Sequence, residues 1–145
     1  MTKLFLSLHV LAAITAVGPV AVATSMFPAS LRRIQGDSTV SGDGLRILHR
    51  ICRVYAAGSL TVPALGMITA QRMHVLGSPW LSASIILTVL AAVVLFASVA
   101  LQERALHRPA QAAPGQLAGM SGVFNLLWAA VTVLMIVRPG STTGA

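Results

Sequence analysis

Two histidines stand at places in this 145-residue chain where an imidazole could do chemistry. His9 lies about one and a half helical turns inside the first of four long apolar runs, and His74 follows the second run. At similar depths on two different helices, both rings could ligate a haem iron or a copper ion. A histidine near a helix end is also an ordinary hydrogen-bonding group. We predict no bound cofactor and keep haem or copper at His9 and His74 as the alternative.

The sequence contains no other arrangement that supports catalysis. Phosphate-binding glycine loops, HExxH, CxxC and GxSxG motifs and paired carboxylates are all missing. Cys52 is the only cysteine, which excludes an internal disulfide and a multi-cysteine metal cage. We expect it to be a buried structural thiol. The sequence therefore favours a protein that is not an enzyme, although it does not decide the question.

The elements that must position these groups are four apolar runs, at residues 4–27, 51–70, 80–101 and 117–137. Each holds about 20 or more residues, and about 20 cross the roughly 30 Å hydrocarbon core of a bilayer as a helix. A hydrophobic fraction of 56%, a charged fraction of 9% and a mean hydropathy of +0.84 agree with this. We predict an all-α fold, a single membrane domain over residues 1–145. Its bundle has four transmembrane helices at approximately 4–27, 45–70, 80–102 and 117–137, followed by a polar tail at 138–145.

The basic residues predict how the bundle is oriented. Four spans place both termini on one side, and most of the basic residues then fall on the other side: Arg32, Arg33, Arg46, Arg50, Arg53, Arg104 and Arg108. The side of the termini keeps Lys3, Arg72 and Arg138. Because cytoplasmic loops carry the excess of Lys and Arg, we predict extracytoplasmic termini in a multi-pass protein of the bacterial inner membrane. The first run exceeds a usual signal-peptide core and is expected to stay as a helix.

The net charge of +7 and the pI near 11.7 would suggest a nucleic-acid partner in a soluble protein. Here the basic residues are spread over short non-membrane pieces, which indicates topology signals and contacts with anionic lipids. Arg46, His49, Arg50 and Arg53 recur at helical spacing and form one basic stripe where the chain enters the second span. We expect the stripe to reach lipid phosphates, with an anionic ligand or partner as the alternative.

Polar residues share one face of the fourth predicted helix, namely Ser121, Asn125 and Thr132. Asn125 lies near the middle of the membrane, where an unpaired amide is costly, so it should face the bundle and bond another helix. Small residues at four-residue spacing, such as Gly115 and Gly119, favour close helix packing. A substrate or proton path along this face is the alternative. The lack of an Asp or Glu inside the predicted spans counts against a proton-coupled transporter.

Proline interrupts two of the predicted helices, at Gly18-Pro19 and at Pro63. Broken helices near the membrane midplane occur at transporter binding sites. They are also ordinary in membrane helices, where neighbouring groups satisfy the freed carbonyls. We interpret both prolines as kinks.

Short motifs of the chain resemble a family of small bacterial membrane proteins of unknown function. The motifs are Leu8-His9-Val10-Leu11-Ala12-Ala13 ahead of Gly18-Pro19, Leu48-His49-Arg50-Ile51, and Gly122-Val123-Phe124-Asn125-Leu126-Leu127-Trp128. The resemblance covers nearly the whole chain, including the Arg-Pro-Gly-Ser-Thr-Thr-Gly end. Members are frequent in actinobacteria and are predicted to have four helices, so the resemblance implies a fold and no activity. A more distant likeness, to copper-resistance D and HemJ-like membrane bundles, implies haem or copper at His9.

These observations leave three hypotheses for function. The main one is a non-enzymatic structural or accessory membrane subunit that packs against other membrane subunits or against copies of itself. The second is a haem- or copper-associated redox or export protein that uses His9. The third is a small transporter built on the kinked first and second helices. No nucleic-acid partner is expected.

Overall fold

The computed structural model describes residues 2–140, and every regular element among them is helical. The elements are α1 (Thr2–Gly36), α2 (Asp43–Ser59), α3 (Thr61–Arg72), α4 (Pro79–His107) and α5 (Pro114–Val137), with one 3-10 turn at Pro109–Gln111. Four segments are long and apolar enough to cross a membrane, namely α1, α2 together with α3, α4, and α5. The predicted all-helical fold with four candidate spans is therefore confirmed over the described residues.

The helices extend beyond the apolar runs. α1 continues to Gly36, beyond its predicted end at residue 27, and α4 continues to His107, beyond its predicted end at residue 102. Hydropathy marks only the part of a helix that lies in hydrocarbon, whereas backbone hydrogen bonding continues the helix into the interface, where polar side chains reach water. The predicted polar tail is described only as far as Gly140, and residues 141–145 lie outside the described residues.

Pro63 divides the second span into two helices. α2 ends at Ser59 and α3 begins at Thr61. Proline has no N–H to donate to the carbonyl four residues back, which is that of Ser59, and its ring crowds the same carbonyl. At the break, the Thr61 hydroxyl donates to the Gly58 carbonyl at 2.8 Å. α1, by contrast, continues through Pro19 without an interruption.

One end of the bundle, here called the terminal end, holds both ends of the described chain. The guanidinium carbon of Arg72 lies 5.6 Å from the centre of the Phe5 ring, and that of Arg138 lies 5.7 Å from the Trp80 ring. These cation–π contacts join the start of α1 to the end of α3, and the start of α4 to the end of α5.

The opposite end, here called the loop end, carries the connections at residues 37–42 and 108–113. The Gln35 amide donates to the carbonyls of Pro109 and Ala112 at 2.8 and 2.9 Å, which ties α1 to the connection before α5. In the first connection, Asp37 accepts hydrogen bonds from the N–H and the hydroxyl of Thr39. These bonds hold the pKa of the Asp37 carboxyl below its ordinary value. Local hydrogen bonds therefore shape both connections.

Buried apolar side chains form three clusters. The central cluster consists of Ala16, Val17, Val20, Ala23, Cys52, Ala56, Val62, Ala91, Leu95, Val99 and Phe124. The loop-end cluster consists of Phe27, Leu31, Leu45, Ala105 and Leu117, and a small third cluster joins Ala70, Trp80 and Leu81. All four spans contribute to the first two clusters, so dispersion contacts at two levels hold the helices together in a lipid environment. Cys52 is free and fully buried, as predicted.

Candidate functional site

His9 connects α1 to α3. Its ring Nδ1 lies 2.9 Å from the carbonyl oxygen of Val62, and the ring packs on Gly66. A Cβ atom at Gly66 would come within 2.9 Å of the His9 Cε1, so a glycine is needed there to leave room for the ring. If Nδ1 donates to the carbonyl, Nε2 is the unprotonated nitrogen that stays available to another partner. The geometry gives His9 a hydrogen-bonding role between two helices.

His74 lies in the turn after α3, exposed and in the left-handed conformation with φ of 56°. Gly66, on which the His9 ring packs, precedes the end of α3 at Arg72 by about 9 Å along the helix axis. The two histidines therefore do not share one depth, which corrects the sequence-based expectation, because His9 packs partway along α3 and not beyond its end. Within residues 2–140, no three His, Cys, Asp or Glu side chains lie close enough together to hold a metal ion.

The basic stripe on α2 has three of its four predicted members. Arg46, Arg50 and Arg53 are exposed, but His49 is only 7% exposed. At about 100° per residue, His49 lies within about 40° of the buried Leu45, while the three arginines lie together on the exposed side. His49 therefore belongs to the interior of the bundle and not to the stripe, which corrects its assignment to a lipid or anion contact.

Of the three polar residues predicted on one face of α5, only Asn125 forms a side-chain hydrogen bond with another described helix. The Asn125 side-chain amide donates to the Ser25 hydroxyl of α1 at 3.2 Å, so Asn125 does bond another helix, although the pair lies open to the surface of the bundle. Ser121 is buried, and its hydroxyl donates to a carbonyl of its own helix. Thr132 is exposed, with its hydroxyl bonded to the Trp128 carbonyl. Thr132 thus makes no packing contact through its hydroxyl with another described helix, because helical spacing fixes a residue's face but not where a neighbour covers that face.

A polar layer separates the central cluster from the loop-end cluster. On each span, one buried polar residue lies along the chain between a member of one cluster and a member of the other: Thr24 on α1, His49 on α2, Gln102 on α4 and Ser121 on α5. Ser98, about one turn before Gln102, is buried as well. The polar layer is defined here as these five residues. The layer extends over about two helical turns, because Ser98 precedes Gln102 by about one turn on α4 and His49, about one turn before Cys52 on the oppositely directed α2, lies on the other side of Gln102.

Three members of the polar layer have polar atoms with no hydrogen-bond partner among the described residues. These atoms are His49 Nδ1, Ser98 Oγ and both side-chain heteroatoms of Gln102. Gln102 is fully buried, and its side chain approaches the thiol of Cys52, which is also fully buried. The two other hydroxyls of the layer donate to carbonyls of their own helices. Because the large majority of buried side-chain polar atoms in proteins are hydrogen-bonded, the three unpaired side chains require an explanation.

Hydropathy does not reveal the polar layer. The third apolar run ends at Leu101 and the predicted helix ends at residue 102, so hydropathy gives no sign that Gln102 is buried, yet the structure buries it within α4. The signal that could have found it is helical spacing. Leu95, Ser98, Gln102 and Ala105 recur every three or four residues and share the buried face of α4.

An open groove of about 430 Å³ lies at the loop end. Arg104, His107 and Arg108 line it together with Ala105 and Leu117. Ala105 and Leu117 belong to the loop-end cluster, and each lies about one turn from a member of the polar layer. One level of apolar side chains therefore separates the groove from the polar layer.

No family model, curated protein or solved structure matches this chain. The resemblance to a family of small bacterial membrane proteins therefore stays a prediction. The function has to be argued from the residues of the chain itself.

The contact between His9 and Gly66 generates a testable prediction. We expect Gly66→Ala to be about 1 kcal/mol less stable than Gly58→Ala, because its new Cβ displaces the His9 ring and breaks the bond to Val62, a loss that offsets what alanine gains over glycine in a helix. Gly58→Ala in the same span is the matched control, since a Cβ there meets no atom within 4 Å. Alanine favours helix over glycine, so the control should unfold at the same or a higher temperature. Equal thermal stability of the two purified variants would contradict the contact.

Proposed function

We propose that this protein is a structural or accessory subunit of the bacterial inner membrane that assembles with a second copy of itself through α5. The observation that carries the proposal is a row of exposed glycines, Gly115, Gly119 and Gly122, in the half of α5 nearer the loop end. A Cβ atom at any of them would meet no atom of the described chain within 4 Å. These glycines therefore do not serve packing within the described bundle.

Glycines on the outward face of a helix lower its stability, and this loss is offset when a neighbouring helix packs closely against them. Gly119 and Gly122 lie in the interior of α5, where a glycine destabilises the helix by about 1 kcal/mol relative to alanine, whereas Gly115 is the second residue of the helix. In membranes this cost is offset where the missing side chain lets a second helix approach closely, and Gly115 and Gly119 have the GxxxG spacing of helix dimers. Gly66 illustrates the difference, because the His9 ring already fills the space beside it. The glycine row on α5 is open.

Asn125 adds a polar anchor to the same surface. At about 100° per residue, it lies on the flank of the glycine row. Its amide makes one side-chain hydrogen bond among the described residues, to Ser25, and keeps a second N–H and an acceptor oxygen that could bond across to another subunit. Side-chain hydrogen bonds between membrane helices contribute about 1 kcal/mol each. The glycine row and Asn125 together favour helix association over lipid contact.

A second copy of the chain is the partner that fits the glycine row best. A two-fold dimer brings the same patch of two subunits together, so that glycine faces glycine at the crossing point and the two backbones approach closely. Leu126 and Val133 lie on the same face beyond the glycines, 73% and 57% exposed, and would pack against the partner helix on the side of the crossing that is nearer the terminal end. The patch is thus self-complementary in size and in polarity.

The charges support an orientation with the loop end in the cytoplasm and both termini outside. The loop end carries the exposed residues Arg32, Arg33, Arg46, Arg50, Arg53, Arg104 and Arg108. A basic excess of this kind marks the cytoplasmic side, where anionic headgroups attract it. Arg46, Arg50 and Arg53 are the members of the α2 stripe that we assign to lipid contact.

The glycine row gives the test of assembly. Gly119→Ile should weaken self-association by at least about tenfold, equivalent to about 1.4 kcal/mol, because the branched side chain keeps two backbones apart. The fold of the single subunit should not change, since the space beside Gly119 is open. Energy transfer between two fluorescent fusions, followed as the protein is diluted into lipid, measures the association.

Val93→Ile is the matched control for this experiment. Val93 is 61% exposed on α4, so the substitution adds a methyl group to a surface that faces lipid. It should leave the association unchanged. Wild-type protein that stays monomeric at every dilution, or a Gly119→Ile variant that associates as well as Val93→Ile, would contradict the proposed dimer.

The orientation is tested by reporter fusions in a bacterial host. A periplasm-dependent reporter fused after Arg138 should be active, because we place the terminal end outside. A cytoplasm-dependent reporter fused after Gly36, at the end of α1, should also be active. The reverse pattern of activities would overturn the orientation, and activity of both reporters at one site would show that the topology is not unique.

A further inference from the structure

The unpaired atoms of the polar layer point to a binding site that is independent of the proposed dimer. We propose that the polar layer binds water inside the bundle. The chemical class that it suits is a small uncharged molecule that both donates and accepts hydrogen bonds, of which water is the smallest member. His49, Ser98 and Gln102 would hold it.

The need for a ligand follows from the location of these side chains. His49, Ser98 and Gln102 are 7%, 2% and 0% exposed, and they carry four polar atoms without a partner among the described residues. A buried polar atom that stays unpaired costs more than a hydrogen bond would have contributed. Native proteins therefore pair such atoms with protein groups or with ordered water. Four such atoms within about two helical turns, on facing helices that meet where Gln102 approaches Cys52, favour one chain of bound molecules over four separate defects.

The hydrogen-bonding groups of the layer define what can bind. Gln102 offers two N–H donors and one acceptor oxygen, and Ser98 offers a donor and acceptor lone pairs. His49 Nδ1 donates or accepts according to its tautomer. A ligand must therefore both donate and accept, as water does. Buried waters in proteins typically make about three hydrogen bonds to otherwise unsatisfied groups.

The charges of the chain favour an uncharged ligand. The three acidic residues, Asp37, Asp43 and Glu103, are all exposed and lie outside the layer. A cation in the layer would have no carboxylate as a countercharge, and an unpaired charge at this depth is expensive. Neutral polar molecules avoid that cost.

The surroundings give the layer a short route to solvent on one side. The groove at the loop end is separated from it by the level of Ala105 and Leu117, and Ala105 has only a methyl side chain. On the other side lies the whole central cluster, from Val99 and Phe124 to Ala91 and Ala16. Water would therefore exchange with the loop end and not pass through the bundle.

The Cys52 thiol is a probe that reports whether water reaches the polar layer. Cys52 is the only cysteine of the chain, it is fully buried, and it borders the layer through Gln102. Its S–H group gives a single infrared band, so moving the wild-type protein in liposomes from H₂O to D₂O measures how fast water reaches this thiol. Because Cys52 is itself a member of the central cluster, the matched control keeps a thiol in that cluster: the double variant Cys52→Ala, Ala91→Cys places it at a 2% exposed position about 16 Å along α4 from Gln102.

We expect the wild-type thiol to exchange at least about tenfold faster than the relocated thiol, because the latter must wait for local opening of an apolar core. Gln102→Leu should slow the exchange at Cys52 and should not raise the melting temperature, because it removes an amide that is already paired with water. Equal exchange rates for the two thiols would overturn the proposal. A higher melting temperature for Gln102→Leu would also overturn it, since that result means the glutamine is unpaired in a dry core.

Discussion

Hydrocarbon offers no hydrogen-bond partner, and this constraint explains most of what the polar side chains of the bundle do. Many hydroxyls within the spans bond a carbonyl of their own helix, as the Thr24 hydroxyl bonds that of Val20 at 2.8 Å. His9 and Asn125 instead reach neighbouring helices, so each also fixes how two helices pack. Gln102 reaches the Cys52 thiol of α2, yet neither of its side-chain heteroatoms makes a hydrogen bond with the described residues. The interior is therefore apolar at two levels and polar between them.

This arrangement separates the two surfaces on which the functional proposals rest. The polar layer faces inward from all four spans, so a molecule bound there contacts residues of one subunit only. The glycine row of α5 faces outward, so it is available for contact with a second subunit. Asn125 stands between the two, with one hydrogen bond to α1 and one flank open to the surface. A change on one surface can therefore be made without disturbing the other, which lets binding and assembly be tested separately.

The sequence predicts the four spans because hydropathy is a property of each segment alone. It also predicts that Cys52 is buried and that Asn125 bonds another helix, since lipid leaves an amide few alternatives. The sequence pattern wrongly assigns His49 to the basic stripe. Its three-residue spacing from Arg46 suggests a shared face, but that step turns the His49 side chain toward the buried side of α2. The sequence does not find the polar layer, because that feature arises only when residues on different helices come together between the two apolar clusters.

The most direct test of this account is the contact between water and the Gln102 side chain in a lipid bilayer. Solid-state NMR of protein labelled with ¹⁵N-glutamine measures magnetisation transfer from water to each side-chain amide, and the Gln102 signal is identified by its loss in Gln102→Leu. The account predicts rapid transfer to Gln102, similar to that of the exposed Gln71 and Gln116. A Gln102 amide that receives no magnetisation from water, while the exposed amides do, would show that the interior is dry and would contradict the account.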